Sequence, residues 1–325
     1  MFMKKISKLI SGILACSIVT IPLLHAEPVS GETIDSNKNV QKTTQKFNKK
    51  VLSNEEQSRY DQRLKEIDSY LLELNKRQNK VKKNDKELRN SRANLSVDQL
   101  DHKVVELETN KSALKDWSEN SEKYAGLIPA TKLENDSSIM LATNNGSVDI
   151  HNNIYRDAVF SKHWVAVGNF LWLNTSWQND VSGTGNVGGL DGFATGIDEN
   201  IDVYDYDLSI FDSYYENNVT KQTPIYNQSN TNVGWGWEWQ DKVSYVGGGS
   251  TSKMYNSASG MSRLYFEFEG GTGVGDTVEV SNKYGHTWSS TGLNGITITL
   301  GGIEFNFSSN ANQWTDAISK PFRLN

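Results

Sequence analysis

Three tryptophans at alternate positions, Trp235, Trp237 and Trp239 in GWGWEWQ (residues 234–240), are the side chains best suited to recognition. In an extended strand they share one face, and at about 3.3 Å per residue they reach roughly 13 Å along it. A dry indole row stacks on sugar rings or other planar ligands, because each ring is rigid and offers a large contact area. Gly234 and Gly236 leave the backbone open to close approach. The same alternation also describes a core wall. Glu238 and Gln240 mark the opposite face as the wet one, so the indoles then point inward.

The second chemically dense stretch is IDENIDVYDYDLSIFD, residues 197–212. Strand periodicity places Asp205 and Asp207 on one face and Tyr204 and Tyr206 on the other. The two tyrosines join the tryptophans as candidate ligand-binding aromatics, with core or rim packing as their plain alternative. Oxygen ligands this close together suit Ca²⁺. The D-x-[DN]-x-[DN]-G loop pattern is missing, and a solvated acidic edge that discourages strand pairing accounts for the run. No metal is therefore expected.

Catalytic groupings are sparse. His102, His151, His163 and His286 are scattered without H-E-x-x-H or paired zinc spacing. Cys16 is the only cysteine, and no G-x-S-x-G elbow occurs. The glycines around 270–275 lack the lysine and following helix that cradle a phosphate. Glu238, Glu267, Glu269 and Glu304 lie on alternating segments, where two facing carboxylates would make a glycosidase pair at about 5–9 Å. Alternate-face glutamates on a half-wet sheet are ordinary, so no catalytic residue is assigned and no cofactor is expected.

The segments that must position these residues begin at the N-terminus. Residues 1–26 combine Lys4, Lys5 and Lys8 with an apolar stretch from Leu9 to Leu24 and a small residue, Ala26, for cleavage. That is the pattern of a secretory signal, with a membrane anchor or lipid attachment at Cys16 as alternatives. Its removal leaves a cysteine-free chain, which must rely on an ordinary core. Few prolines and no mature cysteine suit a secreted Gram-positive bacterial protein. Residues 27–52 are polar and read as a disordered leader.

Residues 53–124 carry a helical period. Ser53 with Glu56 and Ser96 with Gln99 form capping boxes. One seam runs Tyr60, Leu64, Ile67, Leu71, Leu74, Val81, Leu88, Leu95; a second runs Val97, Leu100, Val104, Leu107, Leu114, Trp117. The expectation is two helices, about 54–92 and 97–123, as a helical hairpin or a coiled coil that self-associates. Residues 125–150 lose the period and read as a linker.

From residue 151 to 325 the period becomes two. Leu264, Phe266 and Phe268 alternate with Tyr265, Glu267 and Glu269; Val278 and Val280 with Thr277 and Glu279. Ile296, Ile298 and Leu300 lead into Ile303, Phe305 and Phe307 across Gly301-Gly302, a hairpin signal. The fold class expected is multidomain α plus all-β: the helical part, then an antiparallel β-sandwich of jelly-roll type.

The full chain has 33 basic and 39 acidic residues; without residues 1–26 the count is 30 against 39, or −9. The acid concentrates in the C-terminal half, which disfavours nucleic-acid and anionic-lipid partners. The function expected is non-catalytic binding of polysaccharide or another cell-envelope component. The alternative is an antimicrobial or membrane-active toxin, because the Ser/Thr/Gly-rich run 277–302 alternates as membrane-inserting hairpins do. A glycoside hydrolase with paired glutamates stands third.

Overall fold

The structure, a computed structural model, describes residues 53–133, 147–213, 219–221, 232–247, 251–300 and 302–325. The signal-like and leader segments lie outside the described residues, as does 134–146 of the expected linker. Among the described residues no helix is long and apolar enough to cross a membrane.

Among the described residues the first element is a long helix: α1 spans Asn54–Ser91, followed after a short 3₁₀ turn by α2 (Val97–Glu119) and α3 (Ser121–Ala125). Both capping boxes form. Ser53 and Ser96 each accept from the backbone N–H three residues on, and Glu56 and Gln99 return to the cap. Tyr60, Ile67, Tyr70, Leu71 and Leu74 of α1 are buried. The second seam is only partly used: Leu107 is buried, whereas Val97 and Val104 are exposed.

The rest is antiparallel β structure. In chain order the strands are β1 (Leu127–Pro129), β2 (Thr131–Lys132), β3 (Val148–Asp157), β4 (Trp164–Trp172), β5 (Gly185–Ile197), β6 (Ile201–Phe211) and β7 (Val219–Lys221). Then follow β8 (Gly234–Tyr245), β9 (Lys253–Tyr255), β10 (Ser259–Phe268), β11 (Thr277–Thr287), β12 (Leu293–Thr299), β13 (Gly302–Phe307) and β14 (Gln313–Arg323). The first sheet runs β1-β3-β4-β10-β6-β7 and the second β2-β14-β11-β5-β8-β9. β12 and β13 pair only with each other. β1 and β2 fall inside the segment expected to be linker and add one short strand to each sheet.

Period-two alternation explains how both faces of a sheet are used. Trp164, Ala166, Phe170 and Trp172 of β4 enter the main core, where they meet Phe193, Trp237, Trp239 and Tyr284 of the second sheet. Val165 and Val167 point the other way and join Ile67, Tyr70, Leu71 and Leu74 of α1. β4 is therefore buried along its whole length, which accounts for a run that reads apolar on both sides.

Candidate functional site

The five expected ligand-binding aromatics do not share a face. Trp235, Trp237 and Trp239 are 1%, 0% and 1% exposed and stand in the main core. Phe170 stacks on Trp239 at 5.6 Å, and Tyr206 lies parallel to Trp235. Trp239 Nε1 donates to Ser257 Oγ at 3.0 Å. Of the two readings of the row, the core wall describes these rings; no open indole face is left for a sugar.

Tyr204 and Tyr206 separate because of a β-bulge. The β6–β10 register shifts between Tyr265 and Phe266, which pair with Asp205 and Val203 and leave Tyr204 between them. Tyr206 consequently points into the core, while Tyr204 packs with Tyr60, His163 and Tyr265 on the helix side. The strict alternation expected for the acidic run breaks at that residue. β6 is moreover no bare acidic edge. Asp207 pairs with Arg263, whose side chain is fully buried and also faces Asp68 of α1.

The glutamates do not assemble into an acid pair. Glu267 meets His163 at 3.1 Å. Glu238 is 1% exposed, and among the described residues neither carboxylate oxygen has a hydrogen-bond partner. Burial alone pushes its pKa up from 4.5 to about 7, so no neighbouring carboxylate contributes.

The surroundings of Glu238 form the first candidate site. Glu238 pairs with Gly192 across β8 and β5, and Gly236 pairs with Ala194; Gly285 of β11 pairs with Gly192 from the other side. Paired residues share a face, so these positions make a floor with almost no side chains. The β12–β13 hairpin lies on that floor. A Cβ at Gly192 would meet Leu293 at 2.5 Å, one at Gly236 would meet Ile296 at 2.9 Å, and one at Gly285 would meet Phe305 at 2.4 Å. Leu293, Ile296 and Ile298 are buried, with Ile303, Phe305 and Phe307 packed beside them. A polar tie from the floor is Lys283 Nζ donating to the Ile303 carbonyl at 3.1 Å. The hairpin thus covers a glycine surface and an unpartnered carboxylate by apolar contact.

A second cluster lies on the core-facing side of the same three strands. Asp191 (β5), Asp241 (β8) and His286 (β11) are all 0% exposed. His286 Nδ1 is 2.9 Å from Asp191 Oδ2 and 3.7 Å from Asp241 Oδ2, and Nε2 is 3.2 Å from Asp180 Oδ2. Tyr284 and Tyr255 donate to Asp191 and Asp241 at 2.9 and 2.7 Å. Burial depresses the imidazolium, but Asp191, Asp180 and Asp241 outweigh it and lift His286 to about 10. The four residues are spread across more than a hundred positions, so no local motif announces them. The alternation Val278, Val280, Asn282, Tyr284, His286 does announce that the histidine faces the core.

Compared with known families, curated proteins and solved structures, the chain matches none.

Proposed function

We propose that this chain is a secreted, membrane-active protein whose β12–β13 hairpin leaves its glycine floor and enters a lipid bilayer as part of an oligomeric β-barrel. In this reading the two sheets form a sandwich, and α1 and α2 form a helical hairpin against one side of it. The observation that carries the reading is the hairpin itself: a two-stranded unit that joins the strand ladder of neither sheet and is seated largely by apolar side chains on glycines. Its faces already have the polarity a barrel strand requires. Leu293, Ile296, Ile298, Ile303, Phe305 and Phe307 would face lipid, and Asn294, Thr297, Thr299, Glu304 and Asn306 would face the lumen.

β12 and β13, at seven and six residues, are shorter than a bilayer-spanning strand. The flanks SSTG and SSNAN extend each arm to 11 residues, the upper end of the roughly 9–11 that span a bilayer. One hairpin supplies two strands, so closure needs several copies; the exposed Val97, Val104 and Val105 of α2 are the surface offered for self-association. The polysaccharide reading loses its support with the indoles shielded.

Release of a trapped dye from phosphatidylcholine liposomes tests the proposal; a zwitterionic bilayer suits an acidic protein. Release at micromolar protein is expected. Intact liposomes under those conditions would overturn it.

A further inference from the structure

We propose that Asp191, Asp241 and His286 form a binding site for one first-row divalent cation, with zinc favoured by the donor set. Three neighbouring strands deliver the ligands, since β5 lies between β11 and β8 in the second sheet. One ligand atom from each residue lies within 4.8 Å of the other two. An imidazole nitrogen with two carboxylate oxygens suits zinc, and leaves a fourth position for water or a tyrosine hydroxyl.

The charge inventory favours a dication. Asp180, Asp191 and Asp241 converge on one imidazole, and among the described residues their ion pairs all go to that ring. Among the described residues no lysine or arginine pairs with these three carboxylates. Asp191 and Asp241 are fully buried and Asp180 lies at the margin. A dication matches Asp191 and Asp241 outright, and the ring then stays neutral. Asp180 fits that arrangement, because a metal-bound histidine donates its remote N–H to a carboxylate, which fixes the near nitrogen as the ligand. Tyr284 and Tyr255 would orient the two ligating carboxylates in the same outer role. Trp172 stands edge-on to the imidazole at 5.0 Å and Trp314 lies tilted to it at 5.6 Å, giving the site a dry aromatic wall. Such an ion would be structural, taken up as the chain folds.

The cluster and the hairpin occupy opposite faces of β5, β8 and β11, so either proposal can fail alone. The test refolds the full chain with Zn²⁺ or Mn²⁺ alone, desalts it and measures bound metal. About one zinc per chain is expected, and Asp241→Asn should weaken retention about 100-fold or more with an unchanged circular dichroism spectrum. The ¹⁵N spectrum of the wild-type His286 ring is the second readout, independent of whether the variant folds. A single ring N–H is expected in the zinc-refolded protein. Metal at background, or both ring nitrogens protonated after refolding with either ion, would overturn the proposal.

Discussion

Two covers rest on the sheets, and they are held in opposite ways. On the first sheet α1 adds charge to its apolar packing. Arg63 grips Asp157 with Nε and Nη2 at 3.0–3.2 Å and donates to the Ala125 and Gly126 carbonyls. Lys82 pairs with Asp149, Gln78 meets His151 at 3.1 Å, and Asp68 sits against Arg263. On the second sheet the β12–β13 hairpin is seated by apolar side chains on glycine, above a carboxylate with no partner. Lifting α1 strands buried ions, which no apolar medium can satisfy. Lifting the hairpin exposes apolar groups that a hydrocarbon interior accepts and frees Glu238 to ionise. The difference is the reason for proposing the helices as the permanent body and the hairpin as the part that moves.

Breaking the fastened cover should cost most. Arg63→Ala leaves Asp157 buried without its cation, and a loss of about 3–5 kcal/mol is expected in urea unfolding. An effect below about 1 kcal/mol would mean that α1 is not held by this pair.

The next effect concerns the loose cover and is set by pH. Glu238 is lifted from 4.5 to about 7 while covered. The covered state therefore holds the proton more tightly than the uncovered one. Its contribution to seating is complete below 4.5, declines as pH rises and is gone above about 7, a total of about 3 kcal/mol. Amide exchange across residues 293–307, corrected for intrinsic rates, should accelerate between about pH 5 and 8. Glu238→Gln should remove that acceleration, and an unchanged profile would sever the link between this carboxylate and the hairpin.

A smaller effect is expected from the floor. Gly236→Ala puts a methyl 2.9 Å from Ile296 atoms, and overpacking of this kind costs about 1–3 kcal/mol. The strain falls on the hairpin, so exchange at 293–307 should quicken while exchange within α1 stays the same.

Much of the local architecture was legible in the sequence. Ser53/Glu56 and Ser96/Gln99 marked the helix starts, because a capping box is a property of four consecutive residues. Leu264, Phe266 and Phe268 gave the inner side of β10 through a period that needs no partner to be seen. What depended on pairing was hidden. The bulge at Tyr204 arises from register with β10, so alternation along β6 alone set both tyrosines on one face. Glu238 read as wet because it alternates with core indoles; it is dry because β12 and β13 return from more than fifty residues away to cover it. Gly236 read as backbone open to close approach, and it acts with Gly192 and Gly285 as a floor only once β5, β8 and β11 lie side by side. The Asp–His cluster is likewise a product of three strands meeting, with no spacing that a single stretch could display.

Pinning the hairpin tests its release most directly. Gly236→Cys with Ile296→Cys, in a Cys16→Ser background, places the two Cβ atoms about 3.2 Å apart, a few tenths of an ångström short of the usual disulfide separation of about 3.5–4.5 Å, which a small shift of the hairpin restores. The oxidised protein should release less than about a tenth of the liposome dye released after reduction, with the wild type indifferent to reductant. Equal release by the oxidised and reduced forms would contradict the account, because the hairpin would then have no need to leave.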